Sequence, residues 1–210
     1  MNAKTKKILI FGGIAAIVIL WLLKDKLKPI KPEAENINTN NNNNMFIDNN
    51  DFIRKFYAIA LKIEKTYKIP ALFLTAQAAL ESNFGKSSLT KNGFNFGGIK
   101  AKKDQDYILT WTREHVKDPN KYPNRDKSKD KPAAKGKTSI LIQDKFAKYP
   151  DLESGIKGYI NILLLPRYKE AFNFVDPLKF AAEIGNGGYW TDTAYLPKLE
   201  KMIIQVKNTI

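Results

Sequence analysis

Cysteine is absent from the 210 residues, and histidine occurs once, at His115. These absences exclude disulfide scaffolds, Cys–His hydrolases and zinc sites rich in cysteine or histidine. Any hydrolytic chemistry must therefore rest on carboxylates, hydroxyls or lysine, and no cofactor or metal is expected. Acidic residues are scarce beside basic ones: 21 Asp plus Glu against 35 Lys plus Arg leave a formal charge of +14. That balance suits an anionic surrounding such as nucleic acid, lipid head groups or an acidic polymer. The lysines lie mainly in the tails and one loop, without interleaved stacking aromatics, so nucleic acid is the weakest of these readings. Long apolar runs are missing as well, with one exception near the start. The 43% hydrophobic content nevertheless suffices for the core of one ordinary domain.

The exception is the uncharged run ILIFGGIAAIVILWLL at residues 8–23, preceded by a basic stretch at residues 1–7 and followed by Lys24, Lys26, Lys28 and Lys31. At ~1.5 Å per residue a helix here covers roughly 24 Å, and flanking Lys7, Lys24 and Trp21 can reach the interface. No small-x-small cleavage site follows Leu23, so the expectation is an uncleaved transmembrane signal anchor. Lysines on both flanks leave its orientation open on charge alone. Residues 24–45 are rich in Pro, Glu and Asn and too poor in apolar side chains to fold, which predicts a flexible linker with a reach of about 30 Å. The folded domain is expected over residues 46–210.

Within that domain Phe52, Phe56, Ile59, Ala60, Ile63 and Tyr67 recur at helical spacing. Next comes PALFLTAQAALESNFG, read as a buried helix with Pro70 at its first position and Gly85 closing it in the left-handed conformation. Its one charge is Glu81. A carboxylate in a last turn faces the negative end of the helix dipole and loses hydration if buried, and both effects favour the protonated acid. The Ser-, Asn- and Gly-rich stretch after Gly85 is expected to be a loop. Tyr107 to Val116 alternates as a strand, with Tyr107, Leu109 and Trp111 on one face and Ile108, Thr110, Thr112 and Glu114 on the other. Thr138 to Phe146 is its partner across a Lys-rich connection read as solvated loop. Helices then follow from Asp151, from Asp176-Pro177, and from an Asp192 or Thr193 cap, giving an α+β, mainly helical domain with a small β-hairpin.

The ordered segments AQAALESNFGKSSL, NFGGIK, TREHV, DKFAKYPDLESGIKGY and GGYWTDTAYLPKLEKMI resemble the glucosaminidase domain of glycoside hydrolase family 73. The resemblance covers roughly residues 45–210 and implies a two-lobed, lysozyme-like fold that hydrolyses the β-1,4 bond between N-acetylglucosamine and N-acetylmuramic acid in peptidoglycan. It implies Glu81 as the catalytic acid, Glu114 as a second acid on the hairpin, and Tyr189 beside the reacting centre. Asn95, Phe96, Trp190, Asp192 and Tyr195 are the implied substrate contacts. Three departures stand out: Trp190 for a small Ala, Thr193 for Pro, and Gly97 for an aromatic residue. The implied partners are peptidoglycan strands and, through the anchor, a membrane, with no obligate protein partner. The catalytic domain would then lie on the wall side with the N-terminus inside, in a bacterial or phage setting. A lytic transglycosylase and an inactive wall-binding module are the competing readings.

Overall fold

The computed structural model describes residues 45–210, which fall into a helical unit of residues 45–85 and 164–210 and a sheet unit of residues 86–163. The anchor expected at residues 8–23 and nearly all of the linker lie outside the described residues. Among the described residues no helix is long and apolar enough to cross a membrane.

In the helical unit α1 (Asn49–Tyr67) opens at Asp48, whose side chain accepts the Asp51 N–H at 2.8 Å. Phe52, Ile53, Phe56, Ile59, Ala60 and Ile63 are buried along one stripe. Helix α2 (Ala71–Ser82) is apolar nearly all round because it packs against α1, α5 (Pro177–Asn186) and α6 (Tyr195–Thr209). Fully burying a side chain such as Phe73, whose ring centroid lies 4.8 Å from that of Phe180, contributes about 1.5–3 kcal/mol. The ends of α2 differ from expectation. Pro70 caps the helix from outside, and closure falls at Asn83, φ 50°, two residues before Gly85. The Phe84 N–H reaches back to the Ala79 carbonyl at 2.9 Å, and Ser82 Oγ donates to the Ala78 carbonyl and accepts from the Gly85 N–H. Gly85 remains required for a different reason: at φ +75° a Cβ there would enter the Phe46 ring. Helix α5 begins at the expected Asp176-Pro177, the Asp176 carboxylate accepting from the Leu178 and Lys179 N–H groups. At the start of this unit's second segment, before α5, Pro166–Asn173 forms a 3-10 helix.

The sheet unit holds a three-stranded antiparallel sheet in the order β1-β3-β2, with β1 Tyr107–Val116, β2 Lys131–Ala133 and β3 Lys137–Ala147. Register runs from Tyr107 opposite Ala147 to Val116 opposite Thr138. The strand faces are as read from the alternation: Tyr107, Leu109 and Trp111 are about half exposed, at 47%, 53% and 49%, while Ile108, Thr110, Thr112 and Glu114 turn the other way. Two local features correct the sequence reading. The stretch after Gly85 contains a short helix, α3 (Ser88–Gly93), because Ser87 Oγ accepts the Thr90 N–H and the buried Thr90 hydroxyl donates to the Asn95 carbonyl. The Lys-rich connection is mostly exposed, as expected, but holds β2 and two 3-10 turns where only loop was expected: Arg125 pairs with Asp130 at 2.8 Å and donates to the Pro119 carbonyl, and Asp126 caps the turn at Ser128. Helix α4 (Leu152–Leu163) closes the unit from its Asp151 cap.

Candidate active site

Glu81 sits in the last turn of α2, and Tyr195 is the first residue of α6. Packing of α2 on α6 brings the two together across 114 positions of sequence: the Tyr195 hydroxyl donates to Glu81 Oε1 at 2.7 Å. Burial pushes the Glu81 pKa above its ordinary value, and the phenol's hydrogen bond offsets part of that rise. Burial likewise raises the Tyr195 pKa, with the neighbouring Glu81 charge adding to it, so the phenol stays protonated and can only donate to the carboxylate. Because Oε1 is engaged by that donor, the acid's own proton belongs on Oε2. Such an arrangement can serve a general acid, which needs a partly desolvated carboxyl at a fixed orientation.

The aromatic residues of GYWTDTAY build a ladder behind this pair. Trp190 stacks on Tyr195 with centroids 4.5 Å apart and planes at 23°, and Tyr189 meets Trp190 edge-on at 5.9 Å and Tyr168 at 6.1 Å. The departure to Trp at position 190 thus supplies a brace for Tyr195, one face of its ring being spent on that contact. Asp192 is exposed and structural in its bonding: it accepts the Ala194 N–H at 2.9 Å and pairs with Lys198 at 3.1 Å. The Ala194 hydrogen bond, with Lys198 beside it, holds the Asp192 carboxyl below its usual range. It initiates the turn into α6, whose N-cap position is Ala194, so neither Asp192 nor Thr193 is the cap residue itself.

On the sheet unit Glu114 points from the less exposed face of β1 to Lys100, whose Nζ lies 3.3 Å from Glu114 Oε1 and 2.6 Å from Asp144 Oδ2, over the Phe146 ring at 4.1 Å. Lys100 is the last residue of NFGGIK, and Asp144 stands opposite Thr110 in the β1–β3 register. Neither was singled out by the sequence reading, although the period-2 alternation puts Asp144 on the face that carries Glu114. Replacing Lys100 with Met is expected to lower Tm by roughly 2–4 °C, the equivalent of about 1 kcal/mol for one partly exposed ionic cluster, as read by thermal denaturation.

Asn95 and Phe96 require a correction. Both are 1% exposed, so their side chains are not available to a sugar. The Asn95 amide is committed to the backbone, donating to the carbonyls of Ile99 and Ala147 and accepting the Ile99 N–H. Gly97 has its own explanation: the Tyr159 ring of α4 occupies the space its side chain would fill, a Cβ there lying 2.7 Å from the ring. Among the described residues, no group of three or more His, Cys, Asp or Glu side chains is placed to hold a metal ion.

A partly buried carboxyl at a helix end, held by a phenol on which Trp190 stacks, can serve acid-assisted glycosidic cleavage, and the class is that of the lysozyme-like glycoside hydrolases. The chain belongs to the glucosaminidase family: the family model described as mannosyl-glycoprotein endo-beta-N-acetylglucosaminidase matches residues 57–208. It is 27% identical over 166 residues to the peptidoglycan hydrolase FlgJ of Salmonella typhimurium, covering 76% of this chain and 47% of that protein. A putative endo-beta-N-acetylglucosaminidase of Streptococcus pneumoniae is 38% identical over 68 residues, 32% of this chain and 10% of that protein. The chain therefore spans about half or less of the length of these curated relatives. The catalytic domain of the autolysin Auto from Listeria monocytogenes superposes with a TM-score of 0.59 at 27% identity, over 77% of this chain and 85% of that one. A C-terminally truncated glycoside hydrolase domain of Salmonella typhimurium FlgJ gives 0.56 at 24% identity, over 77% and 99%, a likeness of fold.

Proposed function

We propose that the protein hydrolyses peptidoglycan at the β-1,4 bond between N-acetylglucosamine and N-acetylmuramic acid, with Glu81 as the general acid. The observation that carries this reading is the partly buried Glu81 carboxyl with one oxygen held by Tyr195. Glu81 Oε2 delivers its proton to the glycosidic oxygen as the C1–O bond breaks and the bonding electrons pass to that oxygen. Positive charge then grows at C1 and needs a carboxylate, or the sugar's own acetamido group, to balance it. Glu114 is our candidate for that carboxylate, with Lys100 holding it in place. Water finally supplies hydroxide to C1 and its proton restores Glu81. Tyr189, Trp190 and Asp192 are proposed to flank the glycan. Residues 8–23 are proposed to anchor the protein in a membrane with the catalytic domain on the wall side, where its substrate lies.

The test is product analysis. Sacculi digested by the full chain and reduced with borohydride should yield glucosaminitol ends by mass spectrometry. Muramitol ends would overturn the bond assignment, and anhydro-muramic ends would identify a transglycosylase. Tyr195→Phe has a separate expected outcome: kcat falls about tenfold, part of the 10²–10⁴ that general acid catalysis supplies. The alkaline limb of its pH–rate profile also moves upward, because the hydrogen bond that lowers the Glu81 pKa is gone.

A further inference from the structure

Gln77 lies four residues before Glu81 in α2, so the two side chains share one face of the helix. It is 0% exposed, and neither its Nε2 nor its Oε1 has a hydrogen-bond partner. A buried amide without partners is costly in a helix whose buried residues are otherwise Ala, Phe and Leu apart from the hydroxyls of Thr75 and Ser82, and an apolar side chain would pack there at no such cost. The neighbour that gives it meaning is Tyr195. The amide lies close enough to the hydroxyl to temper the phenol's raised pKa, yet outside hydrogen-bonding geometry. The phenol's one proton is already given to Glu81 Oε1. Its oxygen can therefore only accept from Gln77, which directs the Nε2 end of the amide toward it.

We propose that Gln77 is a positioning residue for the catalytic acid: its amide engages the Tyr195 oxygen when Glu81 gives up its proton, fixing the phenol on Oε1 and leaving Oε2 to face the substrate. The inference rests on the reading of Glu81 as the acid. Its physical basis is the partly desolvated negative charge that appears on Glu81 once the proton has left. The phenol hydrogen bond to Oε1 must strengthen at that moment, and a donor on the far side of the phenol oxygen polarises the O–H in the required direction. An amide with uncommitted N–H groups one helical turn away supplies that donor without carrying charge of its own. A Leu or Met would fill the space but give the phenol oxygen no donor.

The experiment measures kcat, KM and the pH dependence of sacculus solubilisation for the full chain and its variants. Gln77→Met should lower kcat about tenfold, a fraction of the 10²–10⁴ attributable to general acid catalysis, with KM changed less than about twofold. Its alkaline limb should shift upward, since a weakened Tyr195 donor leaves Glu81 harder to ionise. Gln77→Glu keeps the shape and polarity of the side chain and should shift that limb further, because a second carboxylate one turn away opposes ionisation of the first. In the Tyr195→Phe background Gln77→Met should add no further loss, since it acts through the hydroxyl that is missing. A folded Gln77→Met protein with an unmoved limb, or losses that add in the double variant, would overturn the proposal. Glu81→Gln separates the two levels. If it is inactive while the Gln77 variants keep the wild-type profile, only the positioning role falls; if it is fully active, the reading of Glu81 falls and the role of Gln77 with it.

Discussion

Replacing Glu81 with Gln is expected to lower kcat/KM on peptidoglycan by about 10²–10⁴ and, at neutral pH, to leave the protein more stable than it began. The loss follows from removal of the transferable proton, since an amide fills the same space but gives up no proton at accessible pH. The gain follows from the same burial that suits the carboxyl to its task. Its pKa in the folded chain lies above the ordinary glutamate value of 4.5, with desolvation as the main cause and the Tyr195 hydrogen bond as a partial offset. For an acid whose folded pKa is raised, the protonated form is the one the fold prefers. That contribution is fully present below pH ~4.5 and is lost as pH rises through the folded value. The Gln side chain carries no charge and can still accept the Tyr195 hydrogen bond, so it escapes that loss. Thermal melts of the two proteins should coincide near pH 4 and separate as pH increases, with the variant higher. Retained cleavage by Glu81→Gln would remove the acid from the mechanism, and melts that stay parallel at every pH would show that the carboxyl is not held against its charge.

The sequence made some of this visible and hid the rest for identifiable reasons. The apolar stretch from Ala71 to Leu80 could only be a buried helix, and a single acid at its end stood out against that background. Strand β1 was legible from period-2 alternation alone, down to which face carries Glu114. What failed was local composition as a guide where a side chain overrides it: Ser87 and the buried Thr90 hold a helix in a Ser- and Asn-rich stretch that reads as loop. The end of α2 was misplaced because Asn83 took the left-handed position that Gly85 was expected to fill. Contacts between distant segments were out of reach. The bond from Tyr195 to Glu81 depends on the packing of α6 on α2, and the Lys100 cluster on a strand register 44 residues away. Motif matching named Tyr195 without saying that its hydroxyl clamps the acid. Gln77 was overlooked although its i, i+4 spacing from Glu81 was plain in AQAALES; an amide in the middle of a mostly apolar helix was the available sign.

Asn95 is the residue where motif and structure assign different work, and its replacement separates them by the second large effect. Asn95→Ala is expected to destabilise the fold by about 3 kcal/mol or more, lowering Tm by roughly 6–12 °C at ~2–4 °C per kcal/mol for a chain of this size. The Asn95 amide makes three hydrogen bonds in a site 1% exposed: Nδ2 to the carbonyls of Ile99 and Ala147 at 2.8 and 2.9 Å, and Oδ1 from the Ile99 N–H at 2.8 Å. Together they tie the loop that delivers Lys100 to the end of β3, beside the backbone bond from the Ala147 N–H to the Ile99 carbonyl. Alanine leaves the Ile99 N–H without its acceptor and takes one donor from each of the Ile99 and Ala147 carbonyls, the Ile99 carbonyl keeping the Ala147 N–H, and water cannot replace the amide without opening the loop. Asn95→Asp should be worse at neutral pH, since it turns two donors into a carboxylate facing two carbonyl oxygens, and should recover in part on acidification. A sugar contact would behave in the opposite way: KM would rise while Tm stayed fixed. Measuring both quantities on the same variant decides the matter, and an unchanged Tm would return Asn95 to the binding surface.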